Sequence, residues 1–310
     1  MTHPFRFGIQ CRGPLDPTGW PALARKVEDL GYSTLTIADH FDDAPAPIPA
    51  LMAAADATTS LQLGTMVLCN DYRHPVVMAR VALTLDRLSG GRFELGLGAG
   101  WTTWEYETAG IPMDPAGVRV DRLEETIAIA KACFAGGEVD HAGEHYRITG
   151  LPAVPRPASA TGPKLVIGGG GPRVLRLAAR EADIVAINVN LKGGVMDAAA
   201  YADGTPARTD RKLGWIREAA GDRFDDLELQ ARVHLVLLTD DRVALADEMA
   251  PSFGLTPEEA LATPHAMVGT VDEICEQLHV HRERWGISYF GVSGDQLDAL
   301  APVVARLAGR

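Results

Sequence analysis

The chain has 310 residues and a net charge of −12, with 46% of its residues apolar and 23% charged. This composition predicts a globular protein with a sizeable core, and the acidic balance argues against nucleic acid or an anionic membrane as a partner. No apolar run approaches the roughly 18 residues that cross a bilayer, and no signal peptide is recognisable. Four widely separated cysteines without a CxxC pair predict reduced thiols and no metal site, as expected of a cytoplasmic protein.

Hydrophobic patterning in the first part of the chain predicts four strands, each followed by a helix. The predicted strands are short and rich in apolar residues: Phe5–Gln10, Ser33–Ala38, Leu61–Leu68 and Phe93–Leu97. The predicted helices follow them in order: Trp20–Leu30, about Ala50–Thr58, Pro75–Leu88 and about Gly117–Phe134. Gly31 and Gly90 mark the ends of two of these helices, because glycine readily adopts the backbone conformation that stops a helix.

The same alternation continues after a predicted hairpin over residues 136–150. Four further strands are expected: Lys164–Ile167, Asp183–Val189, Leu227–Leu238 and Tyr289–Val292. Helices are expected between and around them: Arg173–Arg180, a helix that ends near Ala220, Arg242–Met249 and Val271–Trp285. The irregular segment Asn190–Arg208 is interpreted either as a lid over the substrate or as a disordered loop.

Eight near-continuously apolar strands that alternate with helices predict an α/β fold, a (β/α)8 TIM barrel with small insertions, formed by a single domain over residues 1–310. An open doubly wound sheet is the alternative, but the glycine spacing does not match its dinucleotide-binding motif. In a barrel the chemistry lies at the carboxyl ends of the strands. Only one predicted strand ends in a carboxylate and none ends in lysine, which disfavours a divalent-metal enzyme and a Schiff-base enzyme.

Two strand ends carry clusters of glycine, which allow a ligand to approach the backbone closely. One cluster, Gly168–Gly171, separates a strand from a helix that begins at Pro172, and the other contains Gly98 and Gly100. Free N–H groups and the positive end of the helix after Gly171 favour a phosphate or a planar polar ring. A flexible turn without a ligand is the alternative interpretation.

The segment Tyr72–Trp101, YRHPVVMARVALTLDRLSGGRFELGLGAGW, resembles the hallmark of the luciferase-like flavin and deazaflavin oxidoreductases. Phe7-Gly8, Asp39-His40, the glycine run and Val268–Leu278 also occur in that family's order, so the resemblance covers nearly the whole chain. Asp39-His40-Phe41 is similar to the branch that uses coenzyme F420, a deazaflavin. The resemblance implies a homodimeric oxidoreductase that transfers a hydride between F420 and a small organic substrate.

The resemblance also implies roles for individual residues. His40 would exchange a proton with the substrate, and Glu105 would place an acid near the reacting carbon. Asp39 would orient His40, contact the ring edge or cap the following turn, and a purely structural histidine is the alternative for His40. A non-proline cis peptide bond is implied at Met66–Val67, behind the cofactor ring. Cofactor contacts are implied for twelve residues around the mouth of the barrel: Asp39, His40, Met66, Val67, Asn70, Gly98, Gly100, Trp101, Gly168, Gly169, Gly170 and Gly171.

Three rival functions remain open from the sequence. An FMN-dependent monooxygenase would use oxygen on the same barrel, a cofactor-binding protein would lack catalysis, and an isomerase-like barrel would bind a sugar phosphate. Arg12, Arg73 and Arg173 are the candidates to attract the acidic tail of F420 to this acidic protein. His279 and His281 are expected on an exposed helix face.

Overall fold

A barrel of parallel strands forms the centre of the computed structural model, which describes residues 3–310. The strands in chain order are β1 (Arg6–Gln10), β2 (Thr34–Ile37), β3 (Gln62–Thr65), β4 (Leu68–Cys69), β5 (Phe93–Gly98), β6 (Gly137–Ala142), β7 (Arg147–Ala153), β8 (Lys164–Gly169), β9 (Ile184–Ile187), β10 (Glu228–Arg232), β11 (Leu235–Leu238), β12 (Ala266–Gly269) and β13 (Ile287–Ser293). The α-helices are α1 (Gly19–Asp29), α2 (Pro47–Ala57), α3 (Pro75–Leu88), α4 (Thr103–Ala109), α5 (Ala116–Ala135), α6 (Pro172–Glu181), α7 (Ala198–Ala202), α8 (Pro206–Ala220), α9 (Arg242–Met249), α10 (Pro257–Ala262), α11 (Val271–Trp285) and α12 (Leu297–Leu307).

Hydrogen bonds between neighbouring strands close the barrel. The order around it is β1, β2, β3, β5, β8, β9, β10 and β13, and β13 pairs again with β1. Every one of these pairings is parallel, and the two-residue strand β4 follows β3 and also pairs with β5. The predicted (β/α)8 barrel is therefore confirmed.

The barrel strands are buried because one face packs inside the barrel and the other packs beneath the helices. All six residues of β5 and all four of β9 are buried. The predicted bounds of α3, α9 and α11 are confirmed. Helix α11 starts where Thr270 and Glu273 form a reciprocal capping box, and it ends at Gly286, whose φ of 76° stops the helix.

The predicted seventh strand, Leu227–Leu238, is wrong as one continuous element. Its first part is β10 in the barrel, whereas its second part, β11, pairs in parallel with β12 in a separate two-stranded sheet. The direction changes at Val233 and His234, whose backbone N–H groups donate to Gly291 and His265 respectively. The chain thus passes from the barrel into an insertion while its alternation of apolar and polar residues continues.

Several insertions interrupt the alternation of strands and helices. The predicted hairpin is confirmed as the antiparallel pair β6 and β7. The segment Asn190–Arg208 is not irregular throughout, because it contains α7 and the first turn of α8. Four α-helices were not predicted from the sequence: α4, α7, α10 and α12.

Charged side chains fill the opposite, amino-terminal end of the barrel interior. Arg6 forms ion pairs of 2.6 Å with both Glu94 and Glu228 and donates to Thr34 Oγ1 at 2.9 Å. Its guanidinium also lies 4.4 Å from the centre of the Tyr289 ring. These buried charges are compatible with the core because each one has a partner of opposite sign.

Within residues 3–310, no helix is both long enough and apolar enough to cross a membrane. The same residues hold no group of three or more histidine, cysteine, aspartate or glutamate side chains arranged to bind a metal ion.

Candidate functional site

His40 and Glu105 meet at the carboxyl-terminal mouth of the barrel. His40 lies just after β2, and Glu105 lies in the first turn of α4, which follows β5. His40 Nδ1 is 2.7 Å from Glu105 Oε1, and Glu105 is only 2% exposed. The structure therefore joins two of the three predicted catalytic side chains, although they are far apart in the sequence.

Three donors surround the Glu105 carboxylate. Oε1 accepts from His40 and from the Phe41 backbone N–H at 3.2 Å, and Oε2 accepts from the Tyr72 hydroxyl at 2.8 Å. Burial, followed by the contact with Glu105, raises the pKa of Tyr72, so its hydroxyl stays protonated and donates. This arrangement suits a His40 ring that carries its proton on Nδ1, which leaves Nε2 as the nitrogen available to a substrate.

Aromatic side chains enclose the His40–Glu105 pair. Trp101 lies edge-on to the His40 ring with 6.0 Å between the ring centres, and Phe41 stacks on Tyr72 at 4.6 Å. The Trp101 contact helps to hold the ring of His40, and the Phe41–Tyr72 stack lies beside the Glu105 carboxylate. Trp101 thus lies where the sequence placed it, at the mouth.

The Asp39 carboxylate forms no hydrogen bond to the His40 ring within residues 3–310, so the expectation that Asp39 orients His40 is corrected. Its carboxylate forms a two-point ion pair with Arg73, and Asp39 Oδ2 also accepts from the Cys69 N–H at 3.1 Å. Arg73 lies between β4 and α3, so Asp39 anchors the chain after β4 to the end of β2. The hydrogen bond with Glu105, and not Asp39, orients the His40 ring.

The peptide bond Met66–Val67 is cis, as expected. It lies between β3 and β4, and the Gln10 side chain donates to Met66 O at 2.8 Å. Arg232, at the end of β10, in turn donates to Gln10 Oε1 at 3.0 Å and to Ser293 Oγ at 2.6 Å. Burial lowers the pKa of Arg232 to about 10. Three strand ends therefore brace the Met66–Val67 bulge.

Glycines surround this bulge because the Val67 side chain occupies the positions where other residues would place a Cβ atom. A Cβ on Gly98 would lie 2.6 Å from Val67 Cγ2, and a Cβ on Gly168 would lie 3.1 Å from Val67 Cγ1. Gly100 has a φ of 76° and lies beside the Tyr106 hydroxyl. The two predicted glycine clusters meet around one feature of the barrel mouth.

The rest of the glycine run packs against protein atoms. A Cβ on Gly169 would lie 2.5 Å from Val174, and a Cβ on Gly170 would lie 2.4 Å from the carbonyl oxygen of Val189. Gly171 precedes α6, which has Pro172 in its first turn and no side-chain cap. The uncapped start of α6 remains a predicted anion site.

Asn70 is buried below the mouth, in a short 3-10 helix after β4. Its Oδ1 atom has no hydrogen-bond partner within residues 3–310. The next residue, Asp71, pairs with Arg122 at 2.9 Å and accepts from the Tyr106 hydroxyl at 3.0 Å. Protein atoms enclose this oxygen, so a contact between Asn70 and the cofactor stays a prediction.

The three arginines proposed to attract an acidic tail already pair with carboxylates. Arg12 contacts Asp42 and Asp43, Arg73 contacts Asp39, and Arg173 contacts Asp121. A phosphate would have to compete with these carboxylates, so the positive potential expected at these side chains is reduced.

Sequence reasoning missed Tyr72 and Arg232 as parts of the site. The sequence did offer a reason to consider Tyr72, because it is the first residue of the segment Tyr72–Trp101 that resembles the family. Arg232 gave no such signal, because it lies on the polar side of the alternating segment Leu227–Leu238, which was predicted as one strand.

A profile of the family described as luciferase-like monooxygenase matches residues 3–289. An F420-dependent glucose-6-phosphate dehydrogenase of Nakamurella multipartita is 29% identical over 300 residues, which cover 92% of this chain and 84% of that protein. The structure of a coenzyme F420-dependent tetrahydromethanopterin reductase from Methanopyrus kandleri has a TM-score of 0.78 at 18% identity, over 98% of both chains. A monooxygenase from Streptomyces bottropensis has a TM-score of 0.73 at 21% identity, over 97% of both chains. The two structures share the fold, and the profile match over nearly the whole chain shows that this protein belongs to the luciferase-like monooxygenase family.

Proposed function

We propose that the chain is an oxidoreductase that transfers a hydride between coenzyme F420 and a small organic substrate. The observation that carries this proposal is the His40–Glu105 pair, whose Nδ1 and Oε1 atoms are 2.7 Å apart at the mouth of the barrel. Hydride transfer needs a flat cofactor next to the substrate and a nearby group that exchanges a proton. The sequence relative from Nakamurella multipartita, named as F420-dependent, supports this choice of cofactor.

The residues at the mouth fit a flat cofactor. Gly98 and Gly168 leave room for the Val67 side chain, which lets the Met66–Val67 bulge project between the ends of two strands. Met66–Val67 would back the ring, and the amides at the start of α6 would receive an anionic group. When bound, F420 supplies a ring carbon that accepts or gives a hydride.

The chain itself would handle the proton. Glu105 holds the Nδ1–H of His40, so Nε2 can accept the proton from a substrate hydroxyl while the hydride leaves the carbon that bears it. In the reverse direction, His40 returns the proton to the oxygen of the carbonyl. The aromatic side chains of Trp101, Phe41 and Tyr72 limit the access of water.

A reduced-flavin monooxygenase is the second candidate, because a monooxygenase from Streptomyces bottropensis shares the fold. Equilibrium titration of cofactor-free protein with F420 and, separately, with FMN distinguishes the two. We expect tight binding of F420, and at 100 times its Kd a gain of about 2.7 kcal/mol in the free energy of unfolding. Preference for FMN would favour the monooxygenase, and binding of neither would reject both.

Catalysis distinguishes the proposal from a protein that only binds the cofactor. F420 reduction would be followed by absorbance with a panel of alcohols and sugar phosphates. We expect His40→Ala to retain F420 binding and to lose about 10²-fold or more in rate with the best substrate. Unchanged turnover would remove His40 from the mechanism, and affinity for a sugar phosphate without any affinity for F420 or FMN would favour an isomerase.

A homodimer, a cytoplasmic location and a single domain over residues 1–310 are further parts of the proposal. The family match over residues 3–289 supports a single domain. Light scattering coupled to size-exclusion chromatography would measure the number of subunits directly.

A further inference from the structure

Three strand ends on one side of the barrel place polar side chains at the floor of its mouth. Alternate side chains of a strand share one face, so Arg232 points into the barrel interior like Glu228, which contacts Arg6 there. Arg232 Nη2 donates to Gln10 Oε1 at 3.0 Å and to Ser293 Oγ at 2.6 Å. These three side chains form the Arg232 cluster, and all three residues are partly exposed. The Arg232 cluster is therefore accessible from the mouth.

The positive charge of Arg232 has no ion-pair partner within residues 3–310. At the other end of the interior, Arg6 pairs with two glutamates, whereas Arg232 contacts only an amide oxygen, a hydroxyl and the Gly291 carbonyl. Burial lowers the pKa of Arg232 to about 10, and the charge of Asp295 only partly offsets this effect. The guanidinium is still charged at pH 7, and a partly buried charge without a partner destabilises the empty site.

The Arg232 cluster offers donors but no side-chain acceptor that lacks a hydrogen bond. Gln10 Oε1 and Ser293 Oγ both accept from Arg232, and one N–H of Gln10 donates to Met66 O at 2.8 Å. In the described part of the chain, nothing accepts the Nε–H of Arg232, the second N–H of Gln10 or the Ser293 hydroxyl hydrogen. Protein atoms do not enclose Arg232 Nε. Free donors beside a positive charge select an anionic oxygen.

The strand order separates the Arg232 cluster from the glycines of the proposed cofactor site. Strands β13 and β1 lie opposite β5 and β8 in the eight-stranded barrel, and the ends of β5 and β8 carry Gly98 and Gly168. His40 follows β2, which pairs with β1, so it borders the same half of the mouth as the Arg232 cluster. A molecule in this half would meet His40 on one side and Arg232 on the other.

We propose that the Arg232 cluster binds an anionic group of the substrate, a carboxylate or a phosphate, while His40 exchanges the proton of the substrate hydroxyl. The anion neutralises the guanidinium and accepts from the donors that have no other partner. This inference rests on the proposed function for the hydride transfer and adds the class of substrate, an alcohol that also carries an acidic group.

Calorimetric titration of the cofactor-free protein with acetate and with inorganic phosphate, at one ionic strength, tests the anion site without turnover. We expect saturable binding of at least one anion, and the tighter one identifies the acidic group. Arg232→Gln should weaken this binding about ten-fold or more, because the charge and its hydrogen bonds are lost. Arg12→Gln is the matched control, because it removes the same charge from an exposed side chain that already pairs with Asp42. Equal weakening by both variants, or no saturable binding to the wild type, would overturn the site.

Turnover with matched substrates shows whether the anion belongs to the substrate or to F420. The kcat/KM values for lactate and 2-propanol, and for glucose 6-phosphate and glucose, give the preference for the acidic member of each pair. We expect Arg232→Gln to lower this preference about 10²-fold. Weaker F420 binding with an unchanged preference would assign the anion to the cofactor and overturn the inference. Ser293→Ala keeps the charge, should lower the preference by less, and serves if Arg232→Gln does not fold. Anion binding without any F420 reduction would reject the proposed function and leave the anion site.

Discussion

Glu105 acts on His40 through its negative charge and through the hydrogen bond that orients the ring. A substitution can remove the charge and nearly preserve the orientation. In Glu105→Gln the side-chain size stays the same, but the amide nitrogen cannot accept from Tyr72 and the negative charge is lost. We expect F420 to bind within a few-fold of its wild-type affinity while the rate of F420 reduction falls by about 10²-fold. Single-turnover absorbance with the best substrate of the panel measures this rate.

Tyr72→Phe is the matched control for this substitution. It removes one donor to Glu105 but leaves the carboxylate and its contact with His40 in place. We expect a smaller loss of rate than in Glu105→Gln, because the negative charge and its contact with His40 remain, although a hydrogen bond to a charged acceptor contributes about 1.5–3 kcal/mol. If both variants slowed the reaction equally, the charge of Glu105 would not be what activates His40.

At the residue scale, the sequence predicted residues for the site but could not assign their partners. Asp39-His40 stands out as a polar pair at a strand end, and orientation of His40 was one of three roles expected for Asp39. Successive side chains after a strand point in different directions, so Asp39 meets Arg73 and His40 meets Glu105. Such pairings depend on which loops the barrel brings together.

Among the elements, the turn from β8 to α6 depends on the smallest side chain at Gly170. A Cβ there would lie 2.4 Å from the Val189 carbonyl oxygen, so the backbone of one of the two segments has to move. We expect Gly170→Ala to lower the free energy of unfolding by about 1–3 kcal/mol. Urea denaturation measures this change.

Gly214→Ala is the control, because it is expected to change the free energy of unfolding in the opposite direction. Gly214 is exposed within α8, and a Cβ there would meet no atom within 4 Å. We expect the substitution to raise the free energy of unfolding by about 0.5–1 kcal/mol, because alanine loses less conformational entropy in a helix. A loss of stability in both variants would mean that crowding at Gly170 is not the cause.

Element boundaries were predictable where a local signal marks them. Pro75 begins α3, and the capping box at Thr270 begins α11. The break between β10 and β11 carries no such signal, because both parts alternate in the same way. Helix α12 escaped prediction since Pro302 interrupts its pattern, and α4 has only seven residues.

Two buried histidines and one half-buried histidine make the whole molecule sensitive to acid. Burial lowers the pKa of His234 to about 3 and the pKa values of His265 and His281 to about 4. The unfolded chain, with histidine pKa values near 6.5, therefore binds more protons than the folded protein between these limits. We expect the free energy of unfolding to be greatest above about pH 6.5 and to fall toward pH 4. Each histidine contributes up to about 1.4 kcal/mol per pH unit.

Urea denaturation between pH 5 and pH 7 measures this slope at pH values where ordinary carboxylates change little. His281→Phe is the test variant, because His281 is buried beside Trp285 with 4.9 Å between the ring centres, not exposed as the sequence predicted. We expect a shallower slope in the variant. The neighbouring His279 is exposed as predicted, and an equal effect of His279→Phe would contradict the assignment to burial.

The pairing of β1 with β13 has a consequence for synthesis on the ribosome. Arg6 on β1 aligns with Tyr289 on β13. Strand β1 is synthesised first, so it pairs with only β2 until β13 has been synthesised. Until then, β1 and β10 form the two open edges of a curved sheet, and unpaired edges are sites of aggregation. A nascent chain halted before Ile287 would expose both edges, and its survival would depend on chaperones or on rapid arrival of the remaining residues.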